Sequence, residues 1–374
     1  MISGKYIFKI YYDWWKNIDK FIFSTIILLF ATGLFFSLAS TSLLVSDKLD
    51  TNDYAFFFKH LSFIFLGLVI IFTISSMKEE NFFNISPIIF IFSLITLFLV
   101  PMLGIEVNSA KRWIDFYFIP RFQPIELVKP FLIVVISLIL SSEKYTNIYL
   151  KYLITFLLTL MIALLLAAQP DIGQTLLVFS IWSLLIFISG INIVVLITLS
   201  LVLIIAIFFL INFVSKFNYI KNRILSFFNT ETGTHNAQSE KAIDSISSGG
   251  YFGKGIGEGT LKNRVPEAHT DYIISVISEE FGVIAIILIL FIFLIFIYSV
   301  FKKVYLENKE RKKLILVGCI SLILLQAMIH IGVNIRLLPT TGMTLPFISY
   351  GGSSIISVSI LSGIILSLTK RKIS

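Results

Sequence analysis

Long apolar runs separated by short polar clusters dominate the chain, and ten of them approach the roughly 20 residues needed to cross a bilayer. They are Phe21–Val45, Phe56–Met77, Ile85–Gly104, Ile125–Leu140, Tyr152–Ala168, Ile172–Ser189, Ile193–Val214, Tyr272–Phe301, Leu314–Val333 and Pro346–Leu368. The pattern predicts an all-α polytopic membrane protein of about ten transmembrane helices, organised as a single membrane domain over residues 1–374. The first run is too long for a signal-peptide core and lacks a small-residue cleavage pattern after it, so it is read as retained.

Composition agrees. Of 374 residues, 57% are hydrophobic and only 14% charged, against about 25% charged in soluble domains, which excludes a soluble fold. The net charge of +8 is mostly topological. With ten spans the two termini share one side, and that side carries 16 Lys and Arg, including the cluster Lys302–Lys313 and the tail Lys370–Lys372. The opposite short loops carry six: Lys48, Lys59, Lys111, Arg112, Arg121 and Arg336. The bias predicts both termini in the cytoplasm (N-in, C-in), and no nucleic-acid partner is needed to explain the positive excess. Residues 1–20 read as a cytoplasmic or interfacial segment, with Tyr11, Tyr12, Trp14 and Trp15 among lysines, and residues 370–374 as a cytoplasmic tail. Cys319 is the single cysteine, which excludes an intrachain disulfide and a cysteine metal site.

The loop between the seventh and eighth runs, residues 215–271, is long enough to expect function of it and is predicted to be extracytoplasmic. Its first part places Phe217, Ile220, Ile224, Phe227 and Phe228 on one helical face, which predicts a helix lying on the outer membrane surface. Its second part, SSGGYFGKGIGEG, reads as tight backbone turns; no strand precedes it and the spacing is not that of a dinucleotide fingerprint.

Ionisable groups within or beside the spans mark the candidate chemistry, because each is costly there. In FQPIELVK, Glu126 and Lys129 lie three positions apart on one helical face and can pair. Lys111 and Arg112 of NSAKRWI sit on the outer side against the charge trend, which points to an anionic partner such as a lipid phosphate or diphosphate. Gln169 and Asp171 flank Pro170 in a short outer turn, where Asp171 can also cap the next helix. If the eighth helix starts near Thr270, then Asp271, Ser275, Ser278 and Glu279 form a polar stripe entering the membrane, with Glu267 and His269 in the same turn. His330, Asn334 and Arg336 lead into LPTTGMTLPFISYGGSS, whose prolines and glycines imply irregular backbone at membrane depth.

Taken in order and spacing, NSAKRWI, FQPIELVK, QPDIGQT, PEAHTDYIISVISEE and LPTTGMTLPFISYGGSS resemble the motifs of the SEDS (shape, elongation, division and sporulation) family, from about Asn108 to Ser354. The PEAHTD and GMTLPFISYGGSS forms are more similar to its division branch than to its elongation branch. The resemblance implies a glycosyltransferase that polymerises lipid II into peptidoglycan strands at the outer face of the bacterial cytoplasmic membrane, at the division septum. By motif, Asp271 matches the family's essential acid, a base for the acceptor hydroxyl or a ligand of a divalent cation (Mg²⁺ or Mn²⁺). Lys111, Arg112, Glu126 and Lys129 match positions that shape the pyrophosphate pocket, and Gln169, Asp171, His269, Ser349, Tyr350, Gly351 and Gly352 complete the expected substrate site. Two departures stand out: His330 where an asparagine is usual, and Asn263 where some relatives are acidic.

Such a reaction needs a base for the attacking hydroxyl and positive charge for the developing pyrophosphate. The resemblance implies a class B penicillin-binding protein (a transpeptidase) and other divisome membrane proteins as partners. Two rival readings share the same residues: a lipid II flippase, which requires polar groups reachable from both faces, and a non-catalytic scaffold, in which Asp271 and Lys129 are replaceable.

Overall fold

The computed structural model describes residues 4–40, 55–107, 110–116, 119–144, 146–214, 217–228, 234–261 and 265–370. Each apolar run carries a helix. They are α2 (Lys20–Ser40), α3 (Ala55–Ser76), α4 (Glu79–Leu103), α5 (Pro124–Leu140), α6 (Ile148–Ala168), α7 (Ile172–Ile188), α8 (Ile193–Phe213), α11 (Ile273–Leu306), α12 (Glu310–Asn334) and α13 (Gly352–Leu368). A preceding helix, α1 (Gly4–Asn17), carries the aromatic and lysine-rich N-terminal stretch, and α9 (Asn218–Phe228) and α10 (Thr234–Gly249) lie in the long loop. Among the described residues, six helices are long and apolar enough to cross a membrane: α2, α3, α4, α6, α11 and α12. Phe65, Ile88, Leu164, Phe208 and Phe291 are each more than half exposed on helix exteriors, a surface suited to lipid rather than water. The chain is a multi-pass membrane protein.

Three helices are shorter. α5, α7 and α13 have 17 residues each, so each spans about 25 Å, less than a hydrocarbon core of about 30 Å. Their starts are set locally: Pro124 opens α5, and the Asp171 side chain caps α7 by accepting from the Gln174 N–H at 3.4 Å. These N-terminal ends carry three of the sequence motifs and converge. The Gln123 N–H donates to Ser353 Oγ at 2.9 Å, and Gln123 Nε2 donates to Asp171 Oδ2 at 3.2 Å.

The segment around NSAKRWI, read from the sequence only as a loop, is an antiparallel sheet in the order β1 (Ile105–Val107), β2 (Ala110–Phe116), β3 (Ile119–Phe122). Asn108 itself lies outside the described residues, as do Asn263, the end of the first expected span and the tail beyond Lys370. Ile114 is buried, anchoring the sheet, and Glu106 pairs across the strands with Lys111.

At the opposite end of the bundle, charged side chains tie elements together. Lys303 Nζ lies 2.6 Å from Asp19 Oδ2, Lys312 pairs with Glu79, and Lys370 Nζ donates to the Met77 carbonyl at 3.1 Å. Trp14 Nε1 donates to Ser75 Oγ at 2.7 Å, fastening α1 beneath α3.

The polar stripe expected on the eighth span is present but faces differently. The helix begins at Ile273, not near Thr270, so Asp271 lies in the turn before it. Ser278 and Glu279 turn toward α10, an element without a clear apolar period: Glu279 accepts from Ser245 Oγ at 2.9 Å and from the Leu261 N–H at 2.9 Å. α11 is also interrupted at Gly282, with φ 77° and ψ −179°. Into the break fits the glycine-rich loop, whose Gly250 and Tyr251 carbonyls accept from the Val283 and Ile284 N–H groups at 3.0 and 3.3 Å. Gly253 (φ 78°) passes so close that a Cβ there would lie 2.1 Å from the Glu280 carbonyl oxygen.

Candidate active site

The segment from Ile335 to Gly351 joins α12 to α13 and meets both the turn before α11 and the start of α7, where a Cβ on Gly173 would lie 2.9 Å from Thr341 Cβ. Irregular backbone is stable inside a bundle only when its polar groups find partners, and here α12, the turn before α11 and the segment's own Ser349 supply them. His330 Nδ1 lies 2.7 Å from the Met343 carbonyl, and Gln326 Nε2 donates to the Thr344 carbonyl at 3.2 Å. Ser349 Oγ donates to the Thr270 carbonyl at 2.7 Å and accepts from the Leu345 N–H at 2.8 Å. The Tyr350 N–H donates to the His269 carbonyl at 3.1 Å. Phe347, buried with φ 67°, packs against Phe30, Phe293 and Phe296 and pins the segment into the core.

Asp271 sits where the segment meets the turn before α11. The Glu267 carbonyl, on a residue with φ 54°, accepts from the N–H groups of Thr270, Asp271 and Tyr272, so the turn is tightly wound. The Asp271 carbonyl accepts from Asn334 Nδ2 at 2.9 Å, which fixes the backbone while the side chain stays partly exposed. Gly342, with φ 70°, passes beside the carboxylate: a Cβ there would come within 3.6 Å of Asp271 Oδ2. The carboxylate therefore lies on an approachable, backbone-lined edge.

A second group surrounds the turn between α6 and α7. Arg112 Nε donates to the Gln169 carbonyl at 3.3 Å, its terminal nitrogen bonds the Pro170 carbonyl, and its Nε lies 3.7 Å from Asp171 Oδ2. Pro170 has a φ of 26°, a strained turn that the guanidinium fork clasps. Burial holds the Asp171 carboxyl above its ordinary value, and the Arg112 guanidinium offsets only part of that rise. Lys111 is exposed and, with Glu106, Gln169 and Pro170, lines a cleft of about 260 Å³.

Beneath lies a closed ionic network. Lys129 Nζ is 2.7 Å from Glu126 Oε1, 3.0 Å from Gln174 Oε1 and 3.4 Å from Gln326 Oε1, and Gln174 Nε2 donates back to Glu126 Oε1 at 3.0 Å. Lys129 is 2% exposed, and its three donors each have an acceptor. Its charge is spent inside the protein, and through Gln326 the network holds the Thr344 stretch of the connecting segment.

The predicted residues thus divide. Asp271, His269 and Tyr350 form one edge. Lys111, Arg112, Gln169 and Asp171 form another, and Glu126 and Lys129 lie below. Ser349 is buried and serves the segment's own hydrogen bonds. Gly351 caps α13, and Gly352 lies against Phe63, where a Cβ would come within 2.5 Å of Cζ. Sequence reasoning missed Gln123, Gln174 and Gln326, uncharged residues whose roles appear only when distant helices meet. It also missed His60, buried beside Tyr350.

A divalent cation at this site would meet the Asp271 carboxylate, with the exposed Glu267 carboxylate of the same turn bonded to Thr270 Oγ1 at 3.2 Å. Among the described residues no three His, Cys, Asp or Glu cluster to hold a metal. Asp271 on an approachable edge fits a Mg²⁺-like ion that takes one protein carboxylate and completes its shell with water and substrate phosphates.

Residues 19–373 match the family described as cell cycle protein, which joins FtsW, RodA and SpoVE. Relatives named probable peptidoglycan glycosyltransferase FtsW come from Caulobacter vibrioides (30% identical, covering 96% of this chain and 91% of the relative) and Haemophilus influenzae (31%, 95% and 93%). The crystal structure of the Thermus thermophilus rod shape determining protein RodA superposes with a TM-score of 0.68 at 25% identity, covering 94% of this chain and 96% of that one. A structure described as showing the coordination of polymerization and crosslinking by a peptidoglycan synthase complex shares the fold, with a TM-score of 0.76 at 24% identity over 94% and 97% of the two chains.

Proposed function

The chain belongs to the cell cycle protein family of FtsW, RodA and SpoVE, and from that membership we propose that it is a peptidoglycan glycosyltransferase polymerising lipid II during septal wall synthesis. The observation that carries the assignment to these residues is the connecting segment 335–351, which draws the Asp271 turn, the Gln174–Lys129 network and α13 together. In this reading the ten apolar helices span the cytoplasmic membrane with both termini inside, and the site faces outward.

Asp271 takes the proton of the acceptor sugar hydroxyl as that oxygen attacks the anomeric carbon of the lipid diphosphate sugar. The bond to the diphosphate breaks, and the leaving charge develops on the diphosphate oxygens. Lys111, exposed on the cleft, meets that charge. Arg112, occupied by the Gln169 and Pro170 carbonyls, holds the cleft's floor in shape. Lys129 and Glu126 act at one remove, by fixing the segment on which the Asp271 turn rests. A divalent cation, when bound, would be held by Asp271 and the diphosphate and would offset the leaving charge.

A class B penicillin-binding protein is the fitting companion, since glycan polymerisation and crosslinking belong to one synthase in the solved complex that shares this fold. The test is polymerisation of lipid II by the purified chain in proteoliposomes, alone and with such a partner, before and after EDTA. Glycan strands of increasing length support the reading. Movement of lipid II between leaflets with no polymer formed supports the flippase instead.

A further inference from the structure

His60 of α3 is completely buried, and neither ring nitrogen has a hydrogen-bond partner. It lies one helical turn from Phe56, and its ring centroid is 5.9 Å from that of Tyr350, with the planes at 68°. Phe56 stacks on His269 at 5.3 Å and meets Tyr350 edge-on at 5.8 Å. The four rings form one continuous wall beside the Asp271 turn.

A polar group buried without a partner costs free energy that an apolar side chain in the same space does not. Leucine would fill position 60 without that cost, so packing alone does not account for an imidazole there. A neutral imidazole offers one N–H donor and one lone pair. That pair is the complement of a sugar hydroxyl or acetamido group, each of which both donates and accepts. An aromatic wall carrying few polar atoms is also the usual lining of a small-molecule site. Tyr350, whose ring meets His60 edge-on, is only partly buried, so the wall has an open side at that ring.

Resting on the glycosyltransferase reading above, we propose that Phe56, His60, His269 and Tyr350 form a subsite for one sugar ring of the lipid-linked substrate. When Tyr350 swings aside, His60 hydrogen-bonds the sugar's hydroxyl or acetamido group. His60 is then a specificity-determining residue.

The test compares wild type, His60→Leu, His60→Gln and Asp271→Asn as full-length proteins in proteoliposomes with lipid II, by initial-rate kinetics and thermal unfolding. His60→Leu is expected to keep or raise the unfolding temperature while raising KM about tenfold, a loss of uniform binding with kcat little changed. His60→Gln, which restores a donor and an acceptor, recovers most of the KM. A wild-type KM in His60→Leu overturns the inference, as does a loss of activity that tracks a fall in unfolding temperature. Wild-type polymerisation by Asp271→Asn would instead bring down the reading of the site as a whole, and so separates the two failures.

Discussion

Replacing Lys129 by methionine removes one charge from a network that has no access to water. Lys129 and Glu126 are 2% and 3% exposed, and Glu126 Oε1 accepts from both Lys129 and Gln174, at 2.7 and 3.0 Å. Methionine matches the length of the lysine stem, so packing is nearly conserved, but Glu126 is left as an uncompensated buried carboxylate. Breaking such a pair from one side costs about 3–5 kcal/mol, while replacing both partners is close to neutral. The Lys129→Met variant should therefore lose about 3–5 kcal/mol of stability, and the Glu126→Gln/Lys129→Met double variant should recover most of that loss. Unfolding in mixed micelles of dodecyl maltoside and SDS measures both. Polymerisation of lipid II then separates roles: a positioning network predicts activity that returns with stability in the double variant. Stability of the single variant within about 1 kcal/mol of wild type would refute the closed ion pair. A double variant as unstable as the single one would refute the reciprocal arrangement.

Three further outcomes follow from the same structure. Burial alone would raise the Asp19 carboxyl, but the Lys303 ammonium and the Ile22 and Phe21 N–H groups outweigh it and hold the group below its ordinary value. That stabilisation is present above the unfolded-state value near pH 4 and is lost as pH falls through the folded one, so the deficit of Asp19→Ala, about 1–2 kcal/mol at pH 7, should shrink toward acid in unfolding curves. Gly253→Ala places a Cβ against the Glu280 carbonyl at φ 78°, and should cost about 1–3 kcal/mol and open the 249–257 loop to limited proteolysis. Gly342→Val, at φ 70° beside the Asp271 carboxylate, should lower kcat for lipid II more than it lowers thermal stability.

The helices were legible because each apolar run is long and its ends are marked by Pro124, Asp171 and the glycines near 351, features that act locally. The sheet was not, because β2 has only seven residues with no strict apolar alternation and is held by strands of three and four. The Glu126–Lys129 pair could be read from a spacing of three; its further partner Gln326 lies 197 positions away and is an ordinary amide in an apolar run. The stripe through Ser278 and Glu279 reads as polar in the sequence, but its partner does not, since α10, which covers it, has no strong period to announce a helix. His60 gave no signal at all. A single histidine in an apolar run becomes informative only when its nitrogens are found unpartnered beside Tyr350.

The central claim is that Asp271, presented on the backbone edge of Gly342, carries the proton transfer. Asp271→Asn keeps the backbone bonds to Glu267 and Asn334, so the folded protein is retained while the base is lost. Lipid II polymerisation by that variant, beside wild type at equal folded concentration, should fall by at least about a hundredfold. Glycan strands formed at the wild-type rate would contradict the account.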